Sequence, residues 1–180
     1  PEFATGLHHR LLLQVSGEAE LLLPYTTASA FATFFARIQL APNARLRLVR
    51  VQNAGAQAQR LTRLKISMAR DARLEAVTVD LGGGLVRHDL DISLDGPGAE
   101  AHLYGLFVAS GQWHVDNHTR SDHRAAHCVS REFFRGLAFD RSHAVFNGKI
   151  GVQPTAQTTD AEQSGACQHL SPSAAINAIP

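Results

Sequence analysis

The stretches Pro42-Asn43-Ala44-Arg45-Leu46, Arg70-Asp71-Ala72-Arg73-Leu74 and Pro97-Gly98-Ala99-Glu100-Ala101 decide the fold. Each leads from a polar or glycine-containing turn, through an alanine and a polar residue, into an apolar run. Ser16-Gly17-Glu18-Ala19-Glu20-Leu21 reads as an earlier copy, with weaker echoes at Pro154-Thr155-Ala156 and Pro172-Ser173-Ala174. The alanines of the first four copies are 25, 28 and 27 residues apart, and those of the two echoes 18 apart. A nearly fixed spacing of this size marks stacked structural units.

The segments between the turns alternate or run apolar: Leu21-Leu22-Leu23, Leu46 to Val51, Leu74 to Val79 and His102 to Val108. Alternation with a period of two places one face inward and the other outward, so the segments read as strands. A unit of about 25 residues cannot bury its apolar face alone, whereas rungs stacked at roughly 4.8 Å share one core and pair each other's backbone groups. The expectation is an all-β fold, a β-solenoid of about seven rungs standing on the order of 35 Å tall. The competing architecture is a β-sandwich, which also shows short strands and frequent turns. Asn147-Gly148 would be a tight hairpin in a sandwich and a corner in a solenoid. Ala28 to Arg37 is alanine-rich enough to suggest a helix, but its place between two repeat turns favours a strand.

With 180 residues, 44% of them hydrophobic and 18% charged, the chain has material for one core and too little charge for a disordered tail. Seventeen Lys plus Arg against sixteen Asp plus Glu gives +1, with no block of like charge, so neither nucleic acid nor an anionic membrane is a favoured partner. Of the basic residues only Lys65 and Lys149 are lysines, which reads as genomic bias rather than a phosphate site. Two cysteines, Cys128 and Cys167, are too few for a disulfide framework or a four-thiolate zinc site and fit a reducing cytoplasm. Leu11-Leu12-Leu13 is too short for a signal-peptide core or a membrane span. Pro1-Glu2-Phe3 has the look of a vector remnant.

Gly82-Gly83-Gly84 lacks the Lys-Ser/Thr of a phosphate cradle and reads as a rung turn. No Gly-x-Ser-x-Gly elbow or His-Glu-x-x-His pair occurs. The polar concentration runs from His114 to His123. On a strand, His114, Asp116 and His118 share one face and are candidates for a transition metal. Arg120 and Asp122 extend that face and turn it toward a surface of charge pairs. His127 and Cys128 point to opposite faces, leaving Cys128 as a small buried hydrophobe. Cys167 and His169, two apart, are the other candidate ligand pair. Asp89 and Asp91 are a same-face carboxylate pair that a carbohydrate-active β-helix enzyme could use.

Taken together, His114-Val-Asp-Asn-His-Thr-Arg-Ser-Asp-His123, His127-Cys-Val-Ser-Arg131, Val145-Phe-Asn-Gly148 and Gln157-Thr-Thr-Asp160 with Gln163-Ser164 resemble, in order and spacing, the SufB/SufD family. The wording Val-Asp-Asn-His-Thr-Arg and Val-Phe-Asn-Gly is closer to the SufD branch. The resemblance implies a right-handed parallel β-helix and a non-enzymatic scaffold subunit of the SUF iron–sulfur assembly machine. Such a subunit pairs with a SufB-like subunit and a SufC-like ATPase, and a transient cluster forms on the full complex, with no cofactor in this chain. It implies further that residues 1–180 are a single excised core, without the family's N-terminal helical region, its later Cys-x-His motif and its ATPase-docking segment. The role of that motif does not transfer to Cys167 and His169, which stand in a different context. The cut ends imply self-association through unpaired rung edges. The alternatives are a carbohydrate-active β-helix enzyme and a small His/Asp metal-binding β protein.

Overall fold

A computed structural model of the chain describes residues 6–26 and 31–179. Pro1-Glu2-Phe3 and the opening residues of the Ala28–Arg37 segment lie outside the described residues; the rest of that segment is strand. Thirteen strands follow one another among the described residues, with no helix between them. One sheet holds β1 (Leu7–Val15), β3 (Phe31–Leu40), β5 (Gln59–Met68), β7 (Leu85–Leu94), β9 (His114–His123), β11 (His143–Val152) and β13 (Ala175–Ile179). The second holds β2 (Glu18–Tyr25), β4 (Arg45–Gln52), β6 (Arg73–Asp80), β8 (Glu100–Ala109), β10 (Val129–Ala138) and β12 (Asp160–His169). Each strand pairs in parallel with the strands two before and two after it in the chain, which is the connectivity of a solenoid and excludes a sandwich of antiparallel hairpins. The strands make six full turns and open a seventh.

The repeat phrase is one corner of this solenoid. Ala44, Ala72 and Ala99 stack with no exposed surface, tied by Arg73 N–H to Ala44 O (2.8 Å) and Glu100 N–H to Ala72 O (2.9 Å). Three of its supposed copies are out of step: Ala19, Ala156, which precedes the corner place by three residues, and Ala174, which stacks on Ser142 at the opposite corner. Ala19 pairs with Leu46, and the corner place in the first turn is held by Gly17, whose carbonyl accepts from Arg45 N–H at 2.9 Å. The next member above Ala99 is Cys128, fully buried, its thiol donating to Gly96 O at 3.4 Å. Burial pushes the Cys128 thiol up from its ordinary pKa, in keeping with a small apolar filler in a corner column.

From the second turn on, the residue before the corner member takes a left-handed conformation: Asn43 (φ 60°), Asp71 (55°), Gly98 (73°), His127 (59°) and Thr158 (58°). This makes the turn tight enough to pass the chain from one sheet to the other. Asn, Asp and Gly tolerate that conformation, while His and especially the β-branched Thr do so at a cost. Asn147-Gly148 is neither hairpin nor corner: both residues lie inside β11. There Gly148 faces inward, and a Cβ on it would lie 1.8 Å from the Gln163 amide nitrogen.

Register stacks like on like in the interior. Leu11, Ala36, Leu64 and Leu90 form one column, Leu13, Ile38, Ile66 and Ile92 a second, and Val15, Leu40, Met68 and Leu94 a third. Leu46 and Leu74 and then Leu48, Ala76 and Leu103 face them from the second sheet. Farther along the cross-section, Phe107 lies over Gly136 and Phe134 over Gly105, where added Cβ atoms would come within 2.1 Å and 2.0 Å of ring carbons. Phe134 stacks in turn on Phe146 at 4.4 Å between centroids. The early turns bury one ion pair, Arg50 to Asp80 at 2.7 Å, with both side chains fully buried. Tyr25 lies under Arg50 at 5.6 Å from ring centroid to guanidinium carbon, and burial raises the Tyr25 hydroxyl to about 12. No helix among the described residues is long and apolar enough to cross a membrane.

Candidate functional site

β9 is polar on both faces, because Val-Asp-Asn-His-Thr-Arg-Ser-Asp-His alternates one kind of polar residue with another. Its odd-numbered residues enter the interior and its even-numbered ones face out. The three columns that are aliphatic through four turns meet Thr119, Ser121 and His123 in the fifth. On β10, Ser130 follows Ala101 and Glu132 follows Leu103 in the same register.

These inward groups meet across the two sheets. The Thr119 hydroxyl donates to Glu132 Oε1, and His123 Nε2 lies 2.9 Å from Ser130 Oγ. Ser121, His123, Ser130 and Glu132 are each at most 2% exposed. Burial lifts the Glu132 carboxyl to about 7, opposed by the Thr119 hydroxyl, so near neutrality it is poised between acid and carboxylate. Burial lowers His123, offset in part by Asp122, so the ring stays neutral. Ser121 Oγ, His123 Nδ1 and Glu132 Oε2 have no hydrogen-bond partner among the described residues. One rung earlier, His88 neighbours Asn117 in register and is held well below its usual pKa by burial and by the Arg50 charge.

The outward face is a ladder of ion pairs. Arg87 reaches Asp89 at 2.8 Å on its own strand and Asp116 at 2.5 Å on the next. His118 Nε2 lies 2.6 Å from Asp116 Oδ1, and Arg120 pairs with Asp122 at 2.9 Å. Of the candidate ligands, Asp116 and His118 are therefore in contact with each other, and Asp116 is also held by an arginine. His114 turns instead to His143 on the next rung, Nδ1 to Nδ1 at 3.0 Å, while Asn177 approaches His143 Nε2 at 3.3 Å. Burial and then the neighbouring His143 lower the His114 pKa.

Cys167 and His169 lie on one face of β12, as their spacing predicts, in the opposite sheet from His114. Cys167 packs against the core, with its thiol pKa raised by burial, and His169 is exposed. Among the described residues, no three or more His, Cys, Asp or Glu side chains converge in a way that could hold a metal ion. Asp89 and Asp91 are each held by an arginine, Asp91 by Arg63 at 2.8 Å, which is the geometry of a surface ladder and not of a free acid–base dyad.

The outward candidates His114, Asp116 and His118 share one strand, whereas the inward set is drawn from β9 and β10, which belong to different sheets. Glu132 is the one acid of β10 and stands at an inward position two residues from the buried Phe134, and that placement is the signal that could have found it.

Comparison with known proteins gives one consistent result. The family described as SUF system FeS cluster assembly, SufBD core domain, matches residues 2–180. An iron–sulfur cluster assembly SufBD family protein of Mycobacterium leprae is 31% identical over 100 residues, covering 52% of this chain and 26% of that protein. The iron–sulfur cluster assembly protein SufD of Escherichia coli is 25% identical over 159 residues, covering 87% of this chain and 38% of that protein. A SufBD family protein of Synechocystis is 25% identical over 150 residues, covering 83% of this chain and 33% of its own length. The chain spans less than half the length of these curated relatives.

Proposed function

Since the chain belongs to the SufBD family of the SUF iron–sulfur cluster assembly system, we propose that it is the β-helix core of a SufD-like scaffold subunit working in the cytoplasm. In this reading it pairs with a SufB-like subunit, the assembly carries a SufC-like ATPase, and the cluster is cargo built on the complex and passed on. The chain itself carries out no turnover.

The observation that carries the reading is the family match along the whole core, together with the His114–His123 wording closest to the SufD branch. The ion-paired exterior agrees with it: a rod whose charged side chains are tied rung to rung holds its shape while partners dock and leave. The test is co-expression of the chain, in its full-length context, with SufB-like and SufC-like subunits of the same genome. A three-component complex that assembles a cluster, and loses it when this subunit is omitted, is the expected result. Full cluster assembly without this subunit would refute the reading.

A further inference from the structure

Charged neighbours on the outer faces are arranged by register, since stacked side chains of like sign repel. Lys65 stands beside Asp91, Asp91 beside Arg120, and Arg87 beside Asp116. Register sets two cations side by side at Arg45–Arg73, Arg120–Lys149 and Arg37–Lys65. In the first pair, each arginine has its own glutamate, Glu18 or Glu100. In the second, Arg120 holds Asp122. Arg37 and Lys65 form no ion pair among the described residues, and Asp91, the carboxylate beside Lys65 in register, is engaged by Arg63 at 2.8 Å.

The pair lies in a groove of about 430 Å³ on the outer face of the first sheet, reaching from β3 past β9. Three rung steps make this on the order of 14 Å, the span of four or five extended residues. Beyond the Arg37–Lys65 pair, Arg63, Arg120 and Arg124 line the groove, each engaged with an aspartate. Gln39, Ser67 and Ser93 line it beside them and offer one uncharged hydrogen-bonding group per rung, about 4.8 Å apart.

We propose that this groove is a docking surface for an acidic protein segment, with an Asp or Glu carboxylate of the partner bridging Arg37 and Lys65. The partner's carboxylate supplies the counter-charge that the ladder provides at every other crowded position. Asp91 and Asp122 on the groove walls favour a singly charged carboxylate over a dianionic phosphate. The length and the uncharged polar column suit an extended backbone. This surface belongs to the chain whichever subunits it assembles with.

The experiment is fluorescence anisotropy with labelled hexaglutamate, hexaglutamine as the neutral control, inorganic phosphate as competitor, and the variants Arg37→Glu, Lys65→Glu and Arg141→Glu. Arg141 lies at a distant turn and changes net charge equally. The expected result is hexaglutamate binding that weakens with salt. Arg37→Glu and Lys65→Glu should each weaken it by about tenfold, Arg141→Glu by less than about twofold, and phosphate at equal charge should not displace it. Arg37→Glu should also raise the melting temperature, because it replaces a repulsive neighbour of Lys65 with an attractive one and has only Leu12 on its other side. This shows that the variant is folded and that the pair is kept at a cost to stability. Absent hexaglutamate binding, equal loss in all three variants, or displacement by phosphate would overturn the proposal.

Discussion

Turns two to four and turn five share one backbone path, one register and one corner, but are filled on different principles. In the earlier turns the columns beside the repeat corner are leucine, isoleucine, methionine and alanine, and polarity is confined to the Arg50–Asp80 pair and its neighbours farther along the cross-section. In turn five the same columns carry Thr119, Ser121 and His123 opposite Ser130 and Glu132. The corners differ in parallel: Asn43, Asp71 and Gly98 hold the left-handed place early, His127 and Thr158 late. Parallel rungs copy geometry, not chemistry. Once the backbone ladder is satisfied, a turn can exchange aliphatic burial for hydrogen bonds and stay in step, provided the polar groups find partners.

The sharpest break of this comparison lies in the early turns. Asp80→Ala removes one side of a fully buried ion pair and leaves the Arg50 guanidinium without its counter-charge. Loss of about 3–5 kcal/mol is expected, read by urea denaturation. Replacing both residues with apolar ones of similar volume, Arg50→Met with Asp80→Leu, should recover most of that loss, because the cost lies in the orphaned charge.

Turn five should respond to pH instead. The folded-state pKa of Glu132 lies near 7, above the ordinary carboxyl value, so the folded protein binds more protons than the unfolded one between about pH 4.5 and 7. Its contribution is fully present below that window and lost as pH rises through it, on the order of 3 kcal/mol in all. His88, His114 and His123 act in the opposite direction. Their lowered pKa values keep them neutral in the fold, and they draw stability down as pH falls through about 6.5. Glu132→Gln separates the two effects. The stability of the wild type relative to this variant, measured at pH 5 and at pH 8, should fall at the higher pH. A difference that does not change with pH would show that Glu132 titrates normally.

The two regions were not equally legible in the sequence. Ala44, Ala72 and Ala99 announce the corner because the same small residue recurs, fully buried, where the chain passes from one sheet to the other. The same rule misplaced Ala19, since Gly17 serves the corner equally well two residues earlier, and it passed over Cys128, where the column changes residue type and the rungs lengthen. Successive register partners from Glu18 to Asp160 are 27, 28, 27, 29 and 31 residues apart, so a fixed period drifts out of phase late in the chain. Period-two spacing grouped His114, Asp116 and His118 on one face but gave no hint that Arg87, from the rung below, would hold Asp116. The Thr119–Glu132 and His123–Ser130 contacts join different sheets, and only the register of every turn before them brings those side chains together. Asn147-Gly148 misled for a related reason: its glycine makes room for Gln163 and bends nothing.

The smallest effect compares corners. Thr158 adopts φ 58°, where a β-branched side chain crowds its own backbone, whereas Asn43 at φ 60° is among the residues that tolerate this conformation. Thr158→Gly should stabilise the protein by about 1 kcal/mol, the left-handed penalty less the extra chain entropy of glycine. Asn43→Gly relieves little strain and carries the same entropy, so a change within about 0.5 kcal/mol of zero is expected. Both are measurable as shifts in denaturation midpoint at unchanged slope. If the two substitutions gave equal gains, the late corners would be no more strained than the early ones, and the contrast between the regions would rest on their interiors alone.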